Sequence, residues 1–190
     1  MTVKILQIGA GIRGRHWAEY VKASDGTACV ALVEPDAGHR EQAKALVGGD
    51  VATFTSLEEA LGKVRADAAL IVSPDHLHAE QAIRCLEAGL TVMIEKPFTP
   101  TVAEAARVLE KAQATGRQVI VAEQYRFWAA ERTVKQILDE GRIGRVDHCV
   151  FQDRRNMPAS TEGPWLRGVD YPQLQAVAVH HFDSMRMWFG

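Results

Sequence analysis

Short apolar runs alternate with amphipathic segments through the first two thirds of the chain. The amphipathic segments repeat their apolar residues at helical spacing, and the apolar runs have the length of buried strands. This alternation predicts an α/β fold, a doubly wound parallel sheet with helices on both faces, that closes near residue 122. The predicted strands are Val3–Ile8, Ala28–Glu34, Val51–Phe54, Ala68–Val72, Thr91–Ile94 and Val119–Ala122.

Helices are predicted between these strands. Ser56 with Glu59, and Thr101 with Glu104, have the spacing of a capping box, in which each side chain bonds the backbone N–H of the other residue. The helices are His16–Lys22, Ala37–Val47, a short one after Ser56, one that starts at Pro74-Asp75 and ends at Gly89, and one that runs from Thr101 to Gly116.

The last third of the chain, residues 123–190, has a different pattern. Ala129–Glu140 predicts an amphipathic helix, and Val146–Arg155 is a long strand candidate. A loop rich in Pro and Gly follows, and a final helix is predicted from about Pro172 to Phe189. One strand and two helices bury too little surface for an independent domain. We therefore expect a cofactor domain over residues 1–122 and an incomplete α+β second domain after it.

The first predicted strand leads directly into a glycine motif, Gly9-Ala10-Gly11-Ile12-Arg13-Gly14. A strand, Gly-x-Gly-x-x-Gly and a helix in this order are typical of a dinucleotide site, with a structural glycine turn as the alternative. Gly9 permits the tight turn, Gly11 lets the backbone approach a pyrophosphate, and Gly14 lets the helix pack closely on the strand. The N–H groups that begin the helix would face the phosphates. Ile12 belongs to this predicted cofactor site, and Arg13 either contacts the pyrophosphate or is a solvated charge.

Glu34 ends the second predicted strand and bears on the choice of cofactor. A carboxylate at this place accepts hydrogen bonds from the adenosine ribose and repels a 2′-phosphate. Asp36 adds negative charge nearby, whereas Arg40 is the nearest basic residue that follows. NAD is therefore favoured over NADP. An acidic residue that simply enters a solvent-facing turn is the alternative.

Composition and charge exclude several classes of protein. The chain has 190 residues and a formal net charge of -2, which argues against nucleic acid because phosphate binding needs a basic surface. It begins in a strand, which leaves no room for a signal peptide, and contains no apolar run of membrane-spanning length. Cys29, Cys85 and Cys149 form no Cys-x-x-Cys pair and are interpreted as reduced, mostly buried thiols, with a reactive cysteine as the alternative. We expect a cytoplasmic protein without a membrane partner.

Five motifs occur in a characteristic order. They are Gly9–Gly14, Ser73-Pro74-Asp75-His76-Leu77-His78, Glu95-Lys96-Pro97, Tyr125-Arg126-Phe127 and His180-His181-Phe182-Asp183. With them, the chain resembles the Gfo/Idh/MocA oxidoreductases. The resemblance implies a Rossmann fold and a nicotinamide-dependent dehydrogenase or reductase that acts on sugars, inositols or related polyols. It also implies a carboxy-terminal domain with an open antiparallel sheet, most of which we do not find in the sequence.

Lys96 follows a predicted parallel strand, at the edge of the sheet where ligands collect. The resemblance places this lysine at the reacting carbon, in contact with both cofactor and substrate, next to a proline that is often cis. A partly desolvated lysine has a lowered pKa and can exchange a proton near neutral pH. A surface lysine beside a turn is the alternative. Glu95, next to it, is predicted to belong to the cofactor site.

His180 is the second candidate for proton transfer, because the resemblance assigns the substrate hydroxyl proton to this histidine. The family has an aspartate one helical turn earlier, where this sequence has Ala176, and alanine cannot steady a protonated imidazole. A histidine on a buried helix face is the alternative of equal weight. Asp183 is expected to help His180 and Lys96 bind the hydroxyl groups of the substrate.

The loop of Ser73, Pro74 and His78 is implied by the resemblance to lie along the nicotinamide side of the cofactor. His76 and His78 without a nearby third ligand make a poor zinc site, so no metal is predicted. Arg126 matches a family arginine after the sixth strand and is predicted to bind the cofactor, with a surface salt bridge as the alternative.

Two functions of different class remain open. The first is a hydride transfer between a nicotinamide cofactor and a sugar- or polyol-like substrate, catalysed with Lys96 and His180. The second is a dinucleotide-binding module without turnover, which is truncated or completed by another chain. Apolar residues such as Phe182, Met185 and Phe189 predict self-association, so a homo-oligomer is expected.

Overall fold

The structure, a computed structural model, describes residues 2–49, 51–154, 174 and 177–190. The chain forms two compact units, Met1–Ala122 and Glu123–Gly190. Position 176 and the loop that precedes the last predicted helix lie outside the described residues. None of the helices that the described residues form is long and apolar enough to cross a membrane.

The first unit is built on one parallel sheet with the strand order β3-β2-β1-β4-β5-β6. This order starts in the middle of the sheet and reverses direction after β3, as a doubly wound fold requires, so the predicted fold class is confirmed. The strands are β1 (Val3–Ile8), β2 (Thr27–Val33), β3 (Ala52–Phe54), β4 (Ala68–Ile71), β5 (Thr91–Ile94) and β6 (Val119–Val121).

Helices connect successive strands of this unit. They are α1 (Ile12–Ala23), α2 (Ala37–Val47), α3 (Leu57–Lys63), α4 (His78–Glu87) and α5 (Val102–Thr115), with a 3₁₀ turn at Asp75–Leu77 before α4. The capping box of Thr101 and Glu104 is confirmed, because each side chain bonds the backbone N–H of the other. The box at Ser56 is only half formed. Ser56 accepts from the N–H of Glu59, but the Glu59 carboxylate accepts from Lys63 at 2.7 Å instead of bonding back.

Both faces of the sheet are buried, because alternate residues of a strand point to opposite sides. On β4, Ile71 belongs to an apolar cluster that also contains residues of α3, α4 and α5. Leu70, its neighbour, instead packs with Val21 of α1, and Leu32 of β2 packs with Ala43 of α2. The sheet therefore has α1 and α2 on one face and α3, α4 and α5 on the other.

The regular elements in the described part of the second unit are helices. A 3₁₀ turn covers Gln124–Phe127, α6 covers Ala129–Asp139, and α7 covers Ala178–Phe189. The indole N–H of Trp188 in α7 donates to the Glu131 carbonyl of α6 at 3.0 Å and ties the two helices together. The described final helix is Ala178–Phe189, after a turn at Val177, and Leu174 is helical as well. The other residues between the predicted start at Pro172 and Val177 lie outside the described residues.

Two predictions are corrected by the structure. Val146–Arg155 is not a strand over its described residues, 146–154, because no described segment forms a backbone ladder with it and a strand exists only through such pairing. The cysteines are not mostly buried: Cys85 is buried, Cys29 is partly buried and Cys149 is exposed. The residues next to each cysteine in the sequence do not indicate how much of its side chain other segments shield from solvent.

Candidate functional site

The glycine loop between β1 and α1 has a separate steric reason for each glycine. Gly9 has a φ of +99°, and a Cβ there would lie 2.6 Å from the Val72 carbonyl oxygen, so only glycine fits the turn. A Cβ on Gly14 would lie 2.4 Å from the Gly9 carbonyl oxygen, which enforces close packing of α1 on the loop. A Cβ on Gly11 would meet nothing within 4 Å. Gly11 therefore borders open space, where a ligand can approach the backbone.

The first turn of α1 begins at Gly11, beside this space, with backbone N–H groups that no side chain caps. Gly11 is the N-cap and no side-chain hydrogen bond caps the helix, nor does an acidic residue lie in its first turn. Ile12, at the helix start, is 66% exposed. A positive helix end with free donors binds anionic phosphate. The loop fits a dinucleotide diphosphate on these grounds.

Gln7 is a further part of the loop that sequence reasoning missed. Its side chain is fully buried inside β1, and its amide Nε2 donates to the carbonyl oxygens of Gly9 at 3.0 Å and Gly14 at 2.8 Å. A buried amide that bridges the first and last glycine of the motif holds the loop in one conformation. The signal in the sequence was a polar residue in the middle of an apolar strand.

Glu34, the predicted ribose contact, directly follows β2. Its Oε2 accepts from the N–H of Ala10 at 2.8 Å, and its Oε1 accepts from the N–H of Asp36 at 3.0 Å. The carboxylate is thus held against the glycine loop by backbone donors, with lone pairs left for hydroxyl groups. The Arg40 guanidinium donates to the Glu34 and Pro35 carbonyl oxygens at 2.6 and 3.2 Å.

Asp36, which was predicted to add charge beside the ribose, has a local structural task. Its Oδ1 accepts from the backbone N–H of His39 at 2.7 Å and caps α2. This hydrogen bond lowers the pKa of the Asp36 carboxyl, since it stabilises the ionised form. Asp36 is therefore an N-cap as well as a negative charge.

Glu95 and Arg13 form an ion pair that the sequence did not predict. Glu95 is buried at the end of β5, and its Oε1 accepts from Arg13 Nε at 2.5 Å and from Trp17 Nε1 at 2.8 Å, both on α1. Its Oε2 accepts from the backbone N–H of Lys96 at 3.0 Å. Arg13 is thus paired with a carboxylate rather than merely solvated, and its contact with a pyrophosphate stays a prediction. The pair joins the start of α1 to the backbone that carries Lys96.

Lys96 lies directly after β5 and is half-buried, at the carboxyl edge of the sheet. The peptide bond between Lys96 and Pro97 is cis. Lys96 thus lies next to Glu95 at the edge of the sheet where ligands of this fold are expected.

His78 connects two loops at this edge. Its ring is almost fully buried, with Nδ1 2.9 Å from the Pro97 carbonyl oxygen and Nε2 3.0 Å from the Ser73 carbonyl oxygen. Both ring nitrogens are thus engaged with backbone, so His78 fixes the loop after Lys96 rather than exposing its ring. Ser73 donates its hydroxyl to Gln81 Oε1 at 2.5 Å, and Pro74 is exposed.

In the second unit, His180 is paired with a carboxylate that the sequence analysis did not identify. His180 is 3% exposed, and its Nδ1 lies 2.6 Å from Oε2 of Glu123. The Tyr125 ring stacks on the imidazole at 4.0 Å between centroids, and Trp128 stacks on Tyr125 at 3.9 Å. The one signal for Glu123 was an acidic residue immediately after the sixth apolar run.

Asp183 and Arg126 contact each other instead of standing apart. Arg126 donates from Nε to Asp183 Oδ2 at 2.8 Å and from Nη2 to Oδ1 at 2.5 Å. This bidentate bond raises the pKa of the Arg126 guanidinium. The salt-bridge alternative for Arg126 is therefore observed, whereas its contact with a cofactor and that of Asp183 with a substrate stay predictions.

No group of three or more His, Cys, Asp or Glu side chains within the described ranges is arranged to hold a metal ion.

A family model supports the same interpretation as the geometry of the glycine loop. Residues 3–123 match the model described as an oxidoreductase family with an NAD-binding Rossmann fold, GFO_IDH_MocA. The chain belongs to this family. The resemblance inferred from the five motifs is thereby confirmed.

Relatives and solved structures extend this comparison. The chain is 31% identical to inositol 2-dehydrogenase 1 of Saccharopolyspora erythraea, over 98% of this chain and 54% of the relative. It is 34% identical to inositol 2-dehydrogenase of Leifsonia xyli, over 97% of this chain and 53% of the relative. It also resembles the crystal structure of scyllo-inositol dehydrogenase from Lactobacillus casei with NAD(H) and scyllo-inositol, at 25% identity and a TM-score of 0.71, over 76% and 43%. The chain spans about half the length of the curated relatives that it matches.

Proposed function

We propose that the protein is an NAD-dependent dehydrogenase that transfers a hydride between the cofactor and a sugar- or polyol-like substrate. The observation that carries the proposal is the uncapped start of α1 beside open space at Gly11, with the Glu34 carboxylate held at the same loop. Family membership supports the cofactor, and relatives named inositol 2-dehydrogenases support a cyclic polyol as substrate.

Each part of the first unit has a task in this proposal. The N–H groups of Gly11, Ile12 and Arg13 would bind the diphosphate, and Glu34 would accept hydrogen bonds from the ribose hydroxyl groups. Bound NAD would supply the hydride acceptor, which no amino-acid side chain provides. Residues 1–122 would thus form the cofactor domain, and residues 123–190 the start of the substrate domain.

Proton transfer is assigned to Lys96 and His180. An alcohol loses a proton when its carbon gives up a hydride, so an acceptor must lie beside the hydroxyl group. Lys96, at the ligand edge of the sheet, would hold the substrate oxygen, and His180 would exchange the hydroxyl proton. Asp183 would accept hydrogen bonds from neighbouring hydroxyl groups, and Ser73, Pro74 and His78 would shape the nicotinamide side.

NAD is favoured over NADP by the same carboxylate. A 2′-phosphate would have to approach Glu34, and two like charges in contact repel. Arg40 is a basic residue close to Glu34. Its guanidinium donates to the carbonyl oxygens of Glu34 and Pro35 and is therefore already engaged.

A second candidate is a dinucleotide-binding module without turnover. The same loop geometry is compatible with it, because the uncapped start of α1 and the Glu34 carboxylate account for cofactor binding without any reaction. The exposed side chains of Phe182 and Phe189 in α7, at 60% and 49%, support self-association as a homo-oligomer in either case.

A polyol screen separates the two candidates. NADH formation is followed by the absorbance of the reduced nicotinamide at about 340 nm. The substrates screened are scyllo-inositol, myo-inositol and open-chain polyols. The dehydrogenase proposal predicts turnover that Lys96→Ala lowers by about 10²-fold or more. Lys63→Ala, which removes a surface lysine paired with Glu59, is the matched control and should leave the rate unchanged. NADH binding without turnover of any polyol would favour the binding module.

A further inference from the structure

We infer that Glu123 is the positioning residue of His180, fixing the imidazole in the tautomer that carries its proton on Nδ1. The inference rests on the proposed function in so far as His180 exchanges the substrate proton. Glu123 itself would touch neither substrate nor cofactor, and would act through the histidine.

The geometry of the pair is that of a buried, charge-assisted hydrogen bond. Glu123 Oε2 and His180 Nδ1 are 2.6 Å apart, and their side chains are only 14% and 4% exposed. An N–H···O⁻ bond of this length between covered groups is stronger than its solvent-exposed equivalent. The two residues are 57 positions apart in the chain, so the pair is a product of tertiary folding.

The chemistry of the two groups determines where the proton lies. An ionised carboxylate only accepts hydrogen bonds, so Nδ1 must donate. A neutral imidazole then has its lone pair on Nε2, which makes no hydrogen bond to a described residue. Nε2 is therefore the nitrogen that can take a proton from a hydroxyl group, while the Glu123 carboxylate stabilises the imidazolium that results.

Neighbouring groups keep Glu123 and His180 together. Tyr125 stacks almost parallel to the imidazole, at an interplanar angle of 8°, which restricts rotation of the ring. Arg126, the nearby cation, is engaged by both oxygens of Asp183. Asp183 thus occupies the guanidinium that would otherwise compete for the Glu123 carboxylate.

The Glu123–His180 pair bears on the alanine at position 176. The resemblance places an aspartate one helical turn before His180, but position 176 is alanine, outside the described residues. The Glu123 carboxylate, from the residue before the 3₁₀ turn Gln124–Phe127, reaches the imidazole from a different element. Ala176 therefore does not leave His180 without an acidic partner.

The tautomer can be measured directly on the full chain by ¹⁵N NMR with labelled histidine. His180→Asn assigns the signals. In the wild-type chain His180 should show a protonated Nδ1 and an unprotonated Nε2. Glu123→Gln should shift His180 towards a mixture of the two tautomers, because an amide can donate to Nδ1 as well as accept from it, and Glu123→Asp should retain the Nδ1–H form. Glu140→Gln, a charge-matched change at an exposed residue of the same unit, should leave it unchanged.

Two results would overturn the inference: a wild-type His180 protonated on Nε2, or an unaltered tautomer in folded Glu123→Gln. The wild-type spectrum decides the question even if the variant does not fold. In turnover assays, Glu123→Gln should lower kcat by about 10–100-fold with little change in KM, as loss of an orienting partner does. Full activity of His180→Asn would instead refute the proposed role of His180, and the Nδ1–H form observed in the wild-type chain would then identify the pair as structural.

Discussion

Replacing Gly14 with alanine should destabilise the first unit markedly. The new Cβ would lie 2.4 Å from the Gly9 carbonyl oxygen, and reaching ordinary contact at 3.4 Å would move helix and loop apart by about 1 Å. Overpacking of this kind costs about 1–3 kcal/mol. The displacement would also stretch the two hydrogen bonds of the buried Gln7 amide, which adds about 1–3 kcal/mol.

The free energy of unfolding of Gly14→Ala should therefore fall by about 2–6 kcal/mol, a large part of the stability of an ordinary domain. Urea titration followed by circular dichroism measures this difference. Gly11→Ala is the matched control, because its Cβ meets no atom within 4 Å and its φ is negative, at -59°. Its stability should stay within about 1 kcal/mol of wild type. Equal stability of Gly14→Ala and Gly11→Ala would refute the steric reasoning.

Two further predictions concern caps and thiols. Thr101→Ala removes the capping box of α5 and should lower the free energy of unfolding by about 1 kcal/mol, whereas Thr101→Ser should retain most of it; an unchanged urea midpoint for Thr101→Ala would contradict this. Burial raises the pKa of Cys29 to about 11 and that of Cys85 to about 12, so both stay protonated near neutral pH and react slowly with a thiol reagent. In the folded chain exposed Cys149 should react first, and complete labelling of all three cysteines should require denaturation. Rapid labelling of Cys85 in the folded chain, measured by mass spectrometry, would contradict the burial argument.

Most of the first unit could be predicted because its strands and helices follow local sequence patterns. Buried parallel strands are short apolar runs, and their helices begin at capping residues such as Thr101 and end at glycines such as Gly116, whose φ of +63° few other residues adopt. The strand prediction for Val146–Arg155 failed because alternation of apolar residues describes a strand's faces and not its neighbours. Ladder partners are set by tertiary structure, which a single segment does not contain.

The same limit applies to the candidate site. The glycines, Glu34 and Lys96 could be located because each occupies a fixed place relative to a strand end. The partners Arg13 with Glu95, and Glu123 with His180, could not be predicted, because they are 82 and 57 positions apart and no spacing rule joins them. Only the three-dimensional fold brings these charges within hydrogen-bond distance.

A nicotinamide dinucleotide should bind with its diphosphate at the start of α1. Isothermal titration of the chain with NADH, and separately with NADPH, measures this binding. We expect one NADH bound per chain, NADPH binding weaker by about tenfold or more, and a comparable loss of NADH affinity in stably folded Gly11→Ala. Absence of NADH binding by the folded chain, or tighter binding of NADPH, would contradict this expectation.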